Sequence, residues 1–208
     1  MSSELQLIHS EILECTKCDL HKSRTNAVPG EGPHDARIMF VGEGPGQNED
    51  EQGRPFVGAA GKFLTELLES IGLKRSDVFI TNIVKCRPPK NRAPRKSEIE
   101  ACNPYLQSQI RLINPRIVCA LGTPAITTLM GDEYSASRFH GKPLTKGEVT
   151  FLPMYHPAAA LYYASLKETL FHDFQILKKL SENEEALHPD APKSVEPSEK
   201  KQTLEKWA

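Results

Sequence analysis

The sequence has no long hydrophobic run and no hydrophobic leader. No window of its 208 residues approaches the ~18 consecutive apolar residues that a membrane-spanning helix needs. The first ten residues also lack the basic-then-apolar arrangement of a secretion signal. These absences predict an intracellular, cytoplasmic protein that makes no membrane contact.

An excess of charge of one sign is absent as well. The formal net charge is −1, so the overall field of the molecule does not favour an anionic partner. Hydrophobic residues make up 38%, below the ~45–50% typical of globular chains, which predicts a polar tail. From about residue 181 the sequence is charged, contains proline and shows little periodicity. We expect one domain over residues 1–180 and a disordered tail over residues 181–208.

The cysteines do not form the even set that a disulfide framework requires. There are five, and without a secretion signal an odd number favours metal binding or catalysis. Cys15 and Cys18 form a C-x2-C pair, Cys86 and Cys102 are far apart in sequence, and Cys119 lies in an apolar run typical of a core residue. Zinc, an iron–sulfur cluster and unconnected thiols all remain open, although zinc ribbons normally use two close pairs.

Short apolar runs alternate with helical patterns along the chain. Each run is typical of a buried strand, and the alternation predicts a parallel sheet covered on both faces. The expected fold is therefore α/β, a single domain with a central four-stranded parallel sheet flanked by helices. Pro153 indicates an edge position or a bulge in the last strand. The predicted strands are residues 37–41, 78–84, 116–121 and 149–155, and the main helices are residues 62–72, 97–112 and 158–180.

Ligands of parallel sheets bind at the carboxyl ends of the strands. Three of the four predicted strand ends carry polar groups, Glu43, Asn82 and His156. The glycines at 42, 44 and 46 fit neither a dinucleotide fingerprint nor a Walker loop, so a nucleotide cofactor is poorly supported. Phe56 lies between small residues before a helix. It is either a core residue or a stacking platform for a base.

One region is strongly basic. Residues 74–116 contain ten Lys or Arg against three Asp or Glu, and include the Pro-rich segment KCRPPKNRAPRK. Most charge runs are solvated faces, but this one follows a predicted strand end. We expect it to contact phosphates.

Three segments resemble the family 4 uracil-DNA glycosylases, the iron–sulfur branch of that superfamily. They are VGEGPGQNEDEQGRPFVGAAGKFL, ITNIVKCRPPKNRAP and MYHPAAAL, and the resemblance runs from about Cys15 to Leu177. It implies a repair enzyme that flips uracil out of DNA and hydrolyses its N-glycosidic bond. Residues 158–160 depart from the pattern because they supply no hydroxyl.

The resemblance implies a role for each site residue. Glu43 and His156 are expected to be catalytic. Glu43 would act on the attacking water, and His156 would donate a hydrogen bond to uracil O2. Asn82 is expected to read the base edge and Phe56 to stack on the ring. Gly42, Gly44 and Pro45 are expected to shape the pocket, and Leu161 to act as a wedge in DNA. The expected phosphate-contacting residues are Arg87, Lys90, Asn91 and Arg92.

The resemblance also implies one 4Fe–4S cluster at the periphery, ligated by Cys15, Cys18, Cys86 and Cys102.

Two rival functions are a non-catalytic DNA-binding module and an iron–sulfur electron carrier. We expect a monomer whose partner is uracil-containing DNA and which is associated with the nucleoid.

The last residues hold the single Trp of the chain. Lys201, Leu204 and Trp207 resemble a degenerate sliding-clamp-binding peptide, with Lys in place of the usual Gln. This suggests a clamp as a further partner, against the alternative of a solvated tail.

Overall fold

The structure is a computed structural model and describes residues 3–187. Five strands form one sheet in the order β2-β1-β3-β5-β4. The strands are β1 (Ile38–Gly42), β2 (Phe79–Asn82), β3 (Ile117–Leu121), β4 (Leu144–Lys146) and β5 (Val149–Met154). The helices are α1 (Ser3–Glu14), α2 (Gln47–Gln52), α3 (Ala59–Ser70), α4 (Lys96–Ile113), α5 (Thr123–Met130), α6 (Ala136–Phe139), α7 (Pro157–Tyr162) and α8 (Ser165–Leu187).

The four predicted strands are parallel, which confirms the expected α/β fold. β1 pairs with β2 and β3, and β3 pairs with β5, all in the same direction. The short β4 was not predicted, and it adds an antiparallel edge beside β5. The observed sheet therefore has five strands and is mixed, whereas the sequence predicted four parallel strands.

Pro153 does not lie on an edge strand, because β5 is flanked by β3 and β4. The β4 register ends at Phe151, two residues before Pro153. Beyond that point no β4 carbonyl faces the proline, so its missing N–H costs no ladder bond there.

The two faces of the sheet pack against different helices because alternate strand residues point to opposite sides. Met39, Val41 and Val118 pack in one core with α1, α4 and α5. Ile38, Phe40 and their neighbours pack in the other core with α3, α7 and α8. Both faces are covered, as parallel strands require.

The C-terminal part of the domain differs from the prediction in two ways. The helix expected over residues 158–180 is two helices, α7 and α8, separated near Tyr163. α8 continues to Leu187, so the predicted boundary at 180 lies inside it. The remainder of the predicted tail, including Lys201, Leu204 and Trp207, lies outside the described residues. Over residues 3–187, no helix is both long and apolar enough to cross a membrane.

Candidate active site

The ends of β1 and β2 are held together beyond the strands themselves. Gly42 and Asn82 are register partners. The Ile83 N–H donates to the Gly42 carbonyl at 2.9 Å, and the Val84 N–H donates to the Glu43 carbonyl at 3.2 Å. This continued pairing places Glu43 and Asn82 at the same edge of the sheet.

Gly42 is required at its position by a close approach of two side chains. A Cβ at Gly42 would lie 2.5 Å from Asn82 Oδ1 and 2.6 Å from Phe56 Cζ. Real Cβ atoms do not come this close to other heavy atoms. The missing side chain therefore lets Asn82 and Phe56 meet over the strand end.

Asn82 carries a buried acceptor without a donor. The residue is 2% exposed, and among the described residues nothing donates a hydrogen bond to its Oδ1. A buried acceptor in this state costs roughly 1–3 kcal/mol. Such a cost is expected where a ligand provides the donor.

His156 follows β5 and caps α7. Its Nδ1 accepts the Ala158 N–H at 3.1 Å. Burial lowers the pKa of His156 to about 4, against a smaller opposing effect of Glu49. The ring is therefore neutral at pH 7. Because Nδ1 accepts a hydrogen bond, the proton of the neutral ring lies on Nε2 and makes that atom a donor.

Phe56 links these groups. Its ring stacks on the His156 ring with centroids 5.5 Å apart and planes at 25°. The residue is 6% exposed and packs in the core on the α3 side, as the core interpretation of the sequence predicted. Whether its ring also stacks on a base stays a prediction.

The turn that carries Phe56 has an unusual backbone. Phe56 has a φ of +52°, a conformation that side-chain-bearing residues seldom adopt. A Cβ at Gly61 would lie 1.8 Å from the Phe56 carbonyl oxygen, so α3 approaches this turn only because residue 61 is glycine.

Glu49 and Arg75 hold this turn in place. One Glu49 carboxylate oxygen accepts the N–H groups of Val57 and Gly58, both at 2.8 Å, and the other accepts the Gly46 N–H at 3.1 Å. The Arg75 guanidinium donates to the carbonyls of Pro55 and Phe56, at 2.8 and 2.9 Å.

Glu43 and two further residues of the first motif lie at the same edge. Glu43 is half-buried, and burial raises the pKa of its carboxyl. Pro45 is buried, while a Cβ at Gly44 would lie 2.9 Å from Val84 Cγ2. The first motif therefore packs tightly against the segment that follows β2.

The four predicted ligand cysteines line a single small cavity. Cys86 and Cys102 are buried, and Cys15 and Cys18 are partly exposed. Three donors contact cysteine sulfurs. The Arg24 guanidinium lies 3.0 Å from Cys86 Sγ, the Lys85 N–H lies 3.3 Å from Cys102 Sγ, and the Lys17 N–H lies 3.5 Å from Cys15 Sγ. Cys119 is separate, in the core on the opposite face of the sheet.

The cavity does not have the form of a single-ion site. Over residues 3–187, no three His, Cys, Asp or Glu side chains form a group that could hold one metal ion. The cysteines that ligate a four-iron cluster each bind a different iron, so they need not converge on one point. The four thiols around this cavity are therefore a candidate ligand set for a cluster.

The basic segment forms an exposed loop after β2. Lys90 and Asn91 are exposed with positive φ, and Arg87 donates to Asn91 Oδ1 at 2.8 Å. The Arg92 guanidinium differs, because it binds both carboxylate oxygens of the buried Glu98 at 2.6 and 2.8 Å. Arg92 therefore stabilises the shape of the loop.

α7 presents an apolar exposed end. Leu161 is 46% exposed, and the adjacent Tyr162 and Tyr163 are 83% and 66% exposed. The helix begins at Pro157, directly after His156. The three exposed side chains therefore come less than two helical turns after His156 in the chain.

Comparison with known proteins identifies the family of this chain. The family model described as the uracil DNA glycosylase superfamily matches residues 29–178. A type-4 uracil-DNA glycosylase of Sulfurisphaera tokodaii is 50% identical over 186 residues, covering 85% of this chain and 84% of the relative. One of Thermotoga maritima is 43% identical over 184 residues, covering 86% and 96%. The chain belongs to the type-4 uracil-DNA glycosylases.

The type-4 resemblance noted in the sequence is therefore confirmed. Relatives named type-5 uracil-DNA glycosylase are more distant, for example one of Thermus thermophilus that is 32% identical over 157 residues, covering 68% of this chain and 70% of the relative. In this type-4 chain the structure brings Gly42, Phe56, Asn82 and His156 into one contact group.

Sequence reasoning missed Glu49 and Arg75. The signal for Glu49 was present, because a glutamate at the third position of a helix is typical of a residue that accepts the N–H of the N-cap residue, here Gly46 at 3.1 Å. Arg75 had no comparable local signal, since its partners lie about twenty residues away in the chain.

Glu49→Ala tests whether this carboxylate fixes the Phe56 turn. The change leaves three N–H groups without their acceptor, and we expect a loss of roughly 1–3 kcal/mol in the free energy of unfolding. Amide exchange at Val57 and Gly58 should accelerate. Glu51→Ala, on the exposed side of the same helix, should change neither quantity. Unaltered exchange at Val57 and Gly58 in Glu49→Ala would contradict this account.

Proposed function

We propose that the protein removes uracil from DNA by hydrolysing its N-glycosidic bond, releasing free uracil and leaving an abasic site. This is the first step of base excision repair. Family membership supports the activity, and the buried Asn82 Oδ1, which lacks a donor among the described residues, is the observation that carries it. An electron carrier or a purely structural DNA-binding module would not need such an acceptor in a pocket.

Asn82 is the residue that we propose reads the base. Uracil presents an N3–H donor beside its O4 acceptor, and the amide of Asn82 offers the matching acceptor and donor. Cytosine presents the reverse pattern at these positions. It would leave the buried amide unpaired, which discriminates strongly against it.

Two residues are proposed to act on the breaking bond. His156 donates its Nε2 proton in a hydrogen bond to uracil O2, where negative charge accumulates as the base leaves. A neutral imidazole makes this bond without itself becoming deprotonated. Glu43 positions or deprotonates the attacking water and faces the cationic sugar. Phe56 stacks on the ring, and Gly44 and Pro45 close the pocket around it.

The DNA-contacting surface is proposed to comprise the loop after β2 and the end of α7. Arg87, Lys90 and Asn91 are suited to phosphates. Flipping a nucleotide costs a few kcal/mol, and Leu161, exposed beside the pocket, is suited to fill the space that the base leaves. Arg92 contributes by holding the loop through Glu98.

We further propose that Cys15, Cys18, Cys86 and Cys102 hold a 4Fe–4S cluster. Four free thiols around one cavity, with N–H donors on three of the sulfurs, support this set. When bound, such a cluster supplies a covalent cross-link among its ligands. In this chain the linked parts are the segment after α1, the loop after β2 and helix α4.

Further proposals rest on the sequence and the activity. An enzyme that acts on DNA works where DNA is found, so we place the protein inside the cell, with the nucleoid, acting as a monomer on uracil-containing DNA. Clamp binding through Lys201, Leu204 and Trp207 stays a prediction from the sequence pattern.

Asn82→Asp tests the base-reading site. An ionised carboxylate cannot donate to O4, and we expect release of free uracil from a labelled oligonucleotide to slow by roughly 100-fold or more in single turnover. Asn114→Asp makes the same chemical change at the end of α4 and should retain the parent rate. If Asn82→Asp also retains it, the pocket has been assigned wrongly.

The pH profile tests Glu43 and His156 together. Burial raises the pKa of Glu43, and a base must be ionised, so activity should fall as the pH falls through this raised pKa. His156, with a pKa of about 4, stays neutral and should cause no transition between about pH 5 and 8. In single-turnover assays Glu43→Gln should be slow and should lack the acidic fall. A fall that persists in this variant would exclude Glu43 as its origin.

Colour and iron content test the cluster. Protein purified without oxygen should be brown, absorb broadly near ~400 nm and contain about four irons per chain. Cys86→Ser should lose this absorption, whereas Cys119→Ser, in the separate core, should keep it. Colourless protein with one zinc per chain would refute the cluster.

A further inference from the structure

Lys85 is the only lysine or arginine among the buried polar residues of the described chain. It is 1% exposed. Its ammonium donates to Thr81 Oγ1 at 2.6 Å, to Gln109 Oε1 at 2.7 Å and to the Asn82 carbonyl at 2.8 Å. An ammonium has three donors, so all of them are used.

All three acceptors are uncharged. Among the described residues, no carboxylate forms an ion pair with Lys85. A buried charge without a counter-charge is strongly unfavourable. Two of the proposed ligand cysteines adjoin Lys85 and can carry negative charge as thiolates. Cys86 follows Lys85 in the chain, and Cys102 Sγ accepts the Lys85 N–H at 3.3 Å.

The bond to the Asn82 carbonyl lies on the outer side of β2, which is an edge strand of the sheet. On this side Ile80 pairs with Glu31: the Ile80 N–H donates to the Glu31 carbonyl at 2.8 Å, and the Glu31 N–H donates to the Ile80 carbonyl at 3.0 Å. Two residues further on, the Asn82 carbonyl points to the same side, since strand residues alternate with a period of two. There the Lys85 ammonium takes the place of a neighbouring strand.

The other acceptors connect Lys85 to the rest of the domain. Gln109 belongs to α4, the helix that carries Cys102, and its Nε2 donates to the Pro29 carbonyl at 2.8 Å. Thr81 Oγ1 donates to the same carbonyl at 2.9 Å. The ammonium is thus held by Thr81 of β2 and by Gln109 of α4, and it cannot shift without breaking a buried hydrogen bond.

We propose that Lys85 is a positioning residue that couples the cysteine site to the base pocket. Its main chain contacts a ligand sulfur, while its side chain fixes the carbonyl of Asn82, whose amide would read uracil. The negative charge of a thiolate-ligated cluster would balance the ammonium that holds Asn82. This inference rests on the role proposed above for Asn82.

Lys85→Met tests the coupling, because methionine fills the space of lysine and donates no hydrogen bond. Without the ammonium, the Asn82 carbonyl is left unpaired and its amide is no longer fixed. We expect the dissociation constant of free uracil, measured by calorimetry on cluster-containing protein, to rise about tenfold. Affinity for an undamaged oligonucleotide should stay within about twofold, since the phosphate-contacting loop is unchanged. The reduction potential of the cluster should become more negative, because a nearby positive charge is removed.

Lys17→Met is the matched control. Lys17 also lines the cysteine cavity, but its ammonium lies over the Tyr105 ring at 4.3 Å from the centroid and does not contact Asn82. This variant should also lower the potential while leaving uracil affinity within about twofold of the parent. Equal uracil affinity in the parent and Lys85→Met would overturn the proposal, as would an equal loss in the two lysine variants.

Asn82→Ala separates this inference from the proposed function. If Asn82→Ala binds uracil as the parent does, Asn82 does not read the base and both proposals fail. If Asn82→Ala loses uracil affinity and Lys85→Met does not, only the coupling is refuted. Should Lys85→Met not fold, Gln109→Met removes one acceptor of the ammonium. It should weaken uracil binding about threefold with the cluster absorption intact, and unchanged binding would refute the coupling.

Discussion

The pairing of β1 with β2 up to and past their last residues is the constraint on which the site depends. It sets Gly42 opposite Asn82, and the absent side chain of Gly42 leaves the space in which Asn82 and Phe56 meet. A parallel sheet exposes its strand ends at one edge, so the same pairing that completes the core also brings these candidate site residues together. His156 joins them from the end of β5 through its stack on Phe56.

Charged side chains hold the loops around this edge. Glu49 and Arg75 bind backbone groups of the Phe56 turn, and Glu98 binds Arg92 in the basic loop. Loops contain backbone donors and acceptors that regular structure would satisfy, and a buried charged group satisfies several of them at once. Much of the charge near the pocket therefore serves to fix its walls, and the residues proposed to meet the base are few.

Much of the fold could be predicted from local patterns. The four parallel strands follow from short apolar runs, and the polar residues at their ends indicated the candidate site. Helix α1 was not predicted, although Leu5, Ile8 and Ile12 follow helical spacing and face the core. The antiparallel β4 was missed because Leu144–Lys146 is too short to carry a pattern, and it is defined by pairing with β5.

The sequence by itself determined the family, the strand ends and the residue types of the site, because these depend on motifs and on periodicities within a few residues. Only the tertiary structure decided that Asn82 Oδ1 is buried with no donor within residues 3–187, that His156 is neutral with its proton on Nε2, and that Lys85 lies between Asn82 and the cysteines. Burial and hydrogen-bond partners come from segments distant in the chain. No local sequence pattern shows which of these distant segments come into contact.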